Sequence, residues 1–168
     1  MNTSVGKLVN VITGKEDANF STPNGSYKFF TCSSETALCD LPTFEGNAIL
    51  ISGNGEFNVK HYSGKFNAYQ RTYVLIPANP QLYAAIYFAS SSHIDNLKRH
   101  STGSIVKFIT KGDVENIPVY IPDNSNILNE MNRLIITIEH NQEQNDSLVV
   151  MRDWLLPMLM NGQATIKD

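Results

Sequence analysis

The sequence predicts an α+β chain in which a mixed-sheet domain is followed by one long C-terminal helix. Short apolar runs separated by turn residues fill residues 1–122, one helical stripe interrupts them, and residues 124–156 contain neither glycine nor proline. The chain has 168 residues, of which 42% are hydrophobic, so it can bury a core without disulfides or metal. We therefore predict a first domain over residues 1–122 and a second over residues 123–168.

Four segments of the first domain predict strands. Each is an apolar or alternating run bounded by Gly, Pro or Asn: residues 48–51, 73–76, 105–110 and 118–122. Residues 52–55, Ser-Gly-Asn-Gly, predict a tight turn after the first strand. Residues 111–113, Lys-Gly-Asp, predict a turn after the third.

Two helices are predicted. The first runs from Pro80 to Leu97, where apolar residues recur at helical spacing. The second begins near Asp123 or Ser125, either of which can act as the N-cap, and ends at Pro157. Its ~30 residues correspond to a length of about 45 Å at ~1.5 Å per residue.

The long helix carries a seam of apolar residues at alternating four- and three-residue spacings, the pattern of a coiled coil. The seam consists of Ile127, Met131, Leu134, Ile138, Leu148 and Leu155. Asn141 and Asn145 continue it, and polar seam residues help to set register and orientation. We expect this helix to pair as an antiparallel coiled coil; a helix folded back on its own domain is the alternative.

Charge is distributed unevenly along the chain, although the formal total is only −3. Between residues 57 and 111, seven basic residues stand against the single acidic residue Asp95, a local balance of +6. Residues 123–168 hold three basic and seven acidic residues, a local balance of −4. Opposite charge on two parts of one chain is typical of a nucleic-acid-binding body with a protein-binding tail. A solvated surface whose charges cluster by chance is the alternative.

No catalytic or metal-binding motif is recognisable. Residues 79–82 (Asn-Pro-Gln-Leu) lack the second proline and the aromatic residue of an amino-methyltransferase loop, and there is no P-loop or nuclease carboxylate motif. The histidines and cysteines do not fall at metal-ligand spacing. Residues 1–20 lack a secretion signal, and no run reaches ~18 apolar residues. We therefore expect a cytoplasmic protein with no membrane span, no metal, no cofactor and no activity of its own.

Several short motifs, in a fixed order, resemble the specificity (S) subunits of type I restriction-modification systems. They cover nearly the whole chain: residues 6–15, 25–31, 48–55, 64–75, 102–122 and 151–162. Each is weak alone, and the stretch 102–122 is the most specific. Such subunits usually carry two recognition domains and two helical regions, whereas this chain has one of each and so resembles half a subunit. Its residues 123–126 also lack the glutamine that often opens the family's helix.

The resemblance implies a target-recognition domain over residues 1–122 and a conserved helical region over residues 123–168 that dimerises and docks a methyltransferase. The expected partners are double-stranded DNA, an adenine methyltransferase subunit and a restriction subunit with nuclease and ATPase activity. S-adenosylmethionine, ATP and Mg²⁺ would be bound only by those subunits. A half-length chain would form a homodimer or pair with another half. A free-standing DNA-binding regulator or decoy is the alternative, and a protein- or glycan-binding module is a third possibility.

The residues predicted to contact DNA are basic or hydrogen-bonding side chains near turns of the first domain. They are Asn54, Lys60, Lys65, Arg71, Lys98, Arg99, Thr102 and Lys107. Basic side chains suit phosphates, while Arg, Lys and Asn also suit the base edges of the grooves. Lys107 is expected to reach a phosphate from its strand. For each residue alone, a solvated surface charge is the alternative.

Overall fold

The computed structural model describes residues 2–163, which form eight strands and four α-helices. The strands are β1 (Asn2–Ser4), β2 (Val11–Thr13), β3 (Tyr27–Phe30), β4 (Ala37–Cys39), β5 (Phe44–Ser52), β6 (Val59–Ala68), β7 (Thr72–Leu75) and β8 (Pro118–Tyr120). The helices are α1 (Val5–Leu8), α2 (Tyr83–His100), α3 (Lys111–Glu115) and α4 (Ser125–Met160), with single 3₁₀ turns at Ala18–Phe20 and Pro80–Leu82. Of the helices in this range, none combines the length and apolar character that crossing a membrane requires.

Six strands form one mixed sheet in the order β2-β7-β5-β6-β3-β4. Its pairs are antiparallel except β3 with β6, which run parallel. Strands β1 and β8 form a separate antiparallel pair. The predicted α+β class with a mixed sheet and a long C-terminal helix is therefore confirmed, whereas coiled-coil pairing of that helix stays a prediction.

The centre of the sheet explains why residues 48–51 are a continuous apolar run. Ala48 and Leu50 pack in a cluster with Phe30, Phe66 and Val74 on one face. The alternate residues of β5, which point to the opposite face, are also buried, and α2 packs against β5 and β6. A strand covered on both faces needs apolar residues at every position rather than at every second one.

The predicted first helix is confirmed and extends three residues beyond Leu97. Asn79 caps its opening turn, because its side-chain oxygen accepts a hydrogen bond from the Gln81 amide at 3.1 Å. Pro80 follows, where its fixed φ and missing amide proton suit a helix start. The chain leaves the helix at Ser101, whose hydroxyl donates to the Lys98 carbonyl at 2.7 Å.

The strand and turn predicted over residues 105–113 are wrong. Residues 101–110 form a loop with isolated bridges, and Lys111–Glu115 is a short helix. A capping box opens it: the Thr110 hydroxyl accepts from the Asp113 amide, while the Asp113 carboxylate accepts from the Thr110 amide. The alternation of residues 105–110 does not produce a strand because no strand of the described chain pairs along this segment, and Ile105 stays 96% exposed.

Both predicted ends of the long helix are also wrong. The N-cap is Asn124 rather than Asp123 or Ser125, since its side-chain oxygen accepts from the Asn126 amide at 2.9 Å. At the other end, the helix continues through Pro157 to Met160. Pro157 has no amide proton to donate to the Asp153 carbonyl one turn earlier, and Asp153 is an exposed residue.

The chain divides into two compact units, Met1–Asn132 and Arg133–Asp168. The first two turns of α4 thus belong with the sheet. Leu128 is buried, and the Asn132 side chain donates to the Gln81 carbonyl at 2.9 Å while accepting from the Ala84 amide at 3.2 Å. The functional boundary predicted at residue 122 stays a prediction.

Candidate nucleic-acid interface

The turn after β5 joins three parts of the chain that are distant in sequence. The Gly53 amide donates to the Arg71 carbonyl at 2.8 Å, and the Gly53 carbonyl accepts from the Ile109 amide at 2.9 Å. A Cβ atom at Gly53 would lie 2.4 Å from the Arg71 oxygen, so only glycine allows this approach. Next to it, Asn54 forms a bridge with Phe108. The glycine turn therefore binds the β6–β7 turn and the loop 101–110 together.

The loop 101–110 is closed on itself by two backbone hydrogen bonds. The Thr102 amide donates to the Phe108 carbonyl at 3.0 Å, and the Phe108 amide donates to the Thr102 carbonyl at 2.8 Å. At its base, the Tyr73 phenol donates to the Ile109 carbonyl at 2.9 Å. Lys107 is exposed on this loop and not on a strand, which corrects the predicted setting of its side chain.

An open cavity of about 460 Å³ lies where these segments meet. It is lined by Gly53, Gln70, Arg71, Tyr73, Phe108, Ile109, Thr110 and Lys111. Two of these lining residues are cationic, and the neutral form of Tyr73 is favoured because burial, and then the Asp113 carboxylate, raise the pKa of its phenol. We call Asn54, Arg71, Thr102, Lys107 and Lys111 the loop cluster.

The structure thus brings together Asn54, Arg71, Thr102 and Lys107 from the predicted set. Lys98 and Arg99 lie exposed in the last turn of α2, directly before the loop. The Arg99 Nε donates to the Asp95 carbonyl at 3.3 Å, one turn earlier in the helix.

Lys60 and Lys65 lie elsewhere, on β6. The Lys60 ammonium donates to the carbonyls of Ser33 and Glu35 at 2.7 and 3.2 Å and stands 5.8 Å from the centre of the Phe30 ring. Burial lowers the pKa of this ammonium. Both of these hydrogen bonds are made to carbonyls of its own chain, and a DNA contact by Lys60 stays a prediction. Lys65 is exposed opposite Glu45 in the sheet register.

Lys111, Gln70 and Tyr73 are at this site but were not among the residues predicted to contact DNA. Lys111 entered only the charge count, although Thr110 followed by Asp113 has the spacing of a capping box and would have placed Lys111 at a helix start. Gln70 donates to the Asp17 carboxylate at 2.7 Å. The role of Tyr73 could not be predicted, because a strand residue that also hydrogen-bonds to a distant loop looks in sequence like any other residue of an apolar strand.

The seam residues of α4 fall into two groups. Ile127, Leu134 and Leu148 are 48%, 57% and 60% exposed, whereas Met131, Ile138 and Leu155 are partly buried. Exposed apolar side chains along one helix face are typical of protein-binding surfaces, and pairing of this helix stays a prediction. Within residues 2–163, no group of three or more His, Cys, Asp or Glu side chains is arranged to hold a metal ion.

The sequence of this chain matches a known family over most of its length. Residues 2–149 match the type I restriction modification DNA specificity domain. A curated relative, the type I restriction enzyme EcoDI specificity subunit of Escherichia coli, is 33% identical over 168 residues. That alignment covers 96% of this chain and 38% of the relative, so the chain spans well under half of that subunit.

The fold is also found in solved structures. The type I restriction-modification S subunit from M. genitalium superposes with a TM-score of 0.78 at 18% identity, covering 92% of this chain and 43% of that one. The HsdS subunit from Thermoanaerobacter tengcongensis gives a TM-score of 0.55 at 16% identity, covering 88% and 38%. At these identities the likeness concerns the fold alone.

The family assignment rests on the sequence match. The family description and the curated relative both name a specificity component, so the prediction of a recognition component rather than an enzyme is confirmed. The chain belongs to the type I restriction modification DNA specificity domain family.

Proposed function

We propose that this chain reads one half of a bipartite DNA target for a type I restriction-modification complex, and that the loop cluster makes the contacts. The observation that carries the proposal is the bonding of the Gly53 turn to both Arg71 and Ile109, which gathers hydrogen-bonding and cationic side chains from three segments. Family membership supplies DNA specificity as the general role.

The chemistry of the cluster divides the work of recognition. The Asn54 amide has the donor and acceptor pair that matches an adenine edge, and the Arg71 guanidinium has the fork that matches guanine or a phosphate. Lys107 and Lys111 suit phosphates, as do Lys98 and Arg99 at the end of α2. Lys65 is an exposed outlying contact, and Lys60, whose ammonium bonds to the carbonyls of Ser33 and Glu35, is the least available of the predicted contacts.

The seam of α4 supports pairing with a second copy in one antiparallel register. Placing Asn141 opposite Asn145 of a second copy also places Ile138 opposite Leu148 and Met131 opposite Leu155 of that copy. The polar seam residues then meet each other, and most apolar seam residues meet apolar ones, as an antiparallel coiled coil requires. In this register Leu134 lies opposite Arg152 of the second copy, which is a pair of one apolar and one charged residue. The two-fold axis passes near residue 143.

A two-fold dimer of this kind would present two identical reading domains, so the expected target is a palindrome interrupted by unread bases. Pairing with a different half would give an asymmetric target instead. We further propose that the helical region docks an adenine methyltransferase and that a restriction subunit joins the complex in the cytoplasm. In this arrangement S-adenosylmethionine, ATP and Mg²⁺ are bound by those subunits and not by this chain.

The test is to express the chain together with its adenine methyltransferase and to map methylated adenines across a host genome. We expect the two proteins to purify together and one interrupted palindrome to be methylated. Arg71→Ala should reduce or shift that methylation, whereas Lys7→Ala, an exposed lysine outside the cluster, should not. DNA binding without methyltransferase association would identify a free-standing regulator. Absence of salt-dependent DNA binding would contradict the proposal altogether.

A further inference from the structure

The tip of the loop 101–110 exposes apolar side chains in the middle of a basic segment. Ile105 is 96% exposed and Val106 57%, and both precede Lys107. Isolated exposed apolar residues are common on surfaces, but two β-branched residues at the end of a shaped loop are more informative. The polar contacts proposed for the loop cluster do not explain why these two apolar side chains are exposed.

Backbone hydrogen bonds and a glycine turn constrain the conformation of the tip. The paired bonds between Thr102 and Phe108 close it, and Gly103 turns the chain with φ +111°. A Cβ atom at Gly103 would lie 2.2 Å from the Val106 carbonyl oxygen, so the turn excludes other residues. The base is tied to Gly53 and Tyr73 as described above. A preorganised tip loses little conformational entropy on binding.

The surroundings of the tip indicate the charge of its partner. Residues 96–112 contain Lys98, Arg99, Lys107 and Lys111 and no acidic residue. Lys111 is partly offset by Glu115, whose carboxylate lies 3.5 Å from its ammonium. An apolar tip that is flanked along the chain by cations complements a surface that is apolar at its centre and anionic at its rim. The major groove of DNA has this character, with thymine methyl groups on its floor and phosphates along its edges.

We propose that Ile105 and Val106 enter the major groove and read a thymine by contact with its 5-methyl group. The major groove admits narrow elements such as a helix or a two-stranded ribbon, and the single bridge between Thr102 and Phe108 draws the two sides of this loop together. The proposal rests on the DNA-reading function proposed above and adds to it a base contact made by apolar atoms. It assigns the tip to DNA and not to a protein partner.

The experiment selects bound duplexes from a random-sequence pool with the full chain and with Ile105→Ser. The parent chain should select at least one thymine whose preference is lost in Ile105→Ser, with about tenfold weaker binding to the selected duplex. Binding to unselected duplex should not change, because phosphate contacts are kept. Leu41→Ser is the matched control, since Leu41 is 66% exposed outside the basic loop. Ile105→Val should retain the preference.

A second arm replaces that thymine with deoxyuridine, which lacks only the methyl group. The parent chain should bind the substituted duplex more weakly, and Ile105→Ser should not distinguish the two duplexes. If the parent chain binds DNA and Ile105→Ser keeps the same base preferences, the proposed thymine contact is wrong while the proposed DNA-reading function stands. Loss of methyltransferase association in that variant would then assign the tip to the methyltransferase interface. Failure of the parent chain to bind DNA overturns both proposals.

Discussion

The phenol of Tyr73 donates a hydrogen bond of 2.9 Å to the carbonyl of Ile109, thirty-six positions further along the chain. Tyr73 lies in the central part of the sheet on β7, whereas Ile109 ends the loop that carries Thr102 and Lys107. One side-chain contact thus connects the rigid core to the loop that we propose reads DNA.

Tyr73→Phe should loosen the loop without unfolding the sheet, because the ring stays buried and only the hydroxyl is lost. We expect a loss of about 1 kcal/mol in the free energy of unfolding. Amide exchange in residues 101–110 should rise and DNA affinity should fall, while exchange in β5 stays slow. Equal exchange in both proteins would show that the hydroxyl does not hold the loop.

The contribution of the Tyr73 hydroxyl should also depend on pH. Its folded-state pKa is raised, first by burial, above the ordinary value of 10.0. The stabilisation is therefore complete below pH 10 and is lost as the pH rises through the folded pKa. Denaturant unfolding at a series of pH values should show the advantage over Tyr73→Phe shrinking only above about pH 10. A constant difference across that range would contradict this assignment.

Thr110→Ala should weaken the start of α3, because it removes the oxygen that accepts from the Asp113 amide at 3.2 Å. We expect a cost of about 1 kcal/mol in denaturant unfolding. Thr110→Ser keeps the oxygen and should stay close to the parent. If DNA binding weakens in step with the cap, the orientation of Lys111 depends on it.

The pair Lys98→Ala and Arg99→Ala should weaken DNA binding and flatten its salt dependence. The slope of log K against log salt is negative, and each lost phosphate contact lowers its magnitude by ~0.9, so the loss of two contacts lowers that magnitude by about 2. Arg133→Ala with Arg152→Ala in α4 removes equal charge and should leave the slope unchanged. If only the α4 pair lowered the slope, without a change in oligomeric mass, the assignment of DNA binding to the first unit would be wrong.

Leu148→Glu should dissociate the proposed dimer, because it places a charge opposite Ile138 of the second copy. Val150→Glu is the matched control: Val150 is 70% exposed on the same helix but lies two residues off the seam. Sedimentation over micromolar concentrations should show a monomer for the first variant and a dimer for the second. Identical masses for both variants and the parent would exclude this seam as the interface.

Local signals identified the two long helices, α2 and α4, and the strands β5 and β7, but neither the short helices α1 and α3 nor the central strand β6. The stripe of α2, the unbroken α4 and the apolar run of β5 each follow from neighbouring residues, because helical and strand periodicity is a property of consecutive positions. The family resemblance was likewise present in short motifs. The ends of elements were less predictable. Asn124, Asp123 and Ser125 are all residue types that cap helices, and only the structure shows that Asn124 is the N-cap. Pro157 usually would end a helix but lies inside this one.

The sequence by itself determined the α+β class, the basic middle segment and the seam of the long helix, since these depend on composition and spacing alone. Only the tertiary structure decided that residues 105–110 form a loop and that Lys60 bonds to carbonyls of its own chain. It also decided that Gly53, Arg71 and Ile109 meet. Contacts between residues so distant along the chain depend on how the strands pair, and no local pattern encodes that pairing.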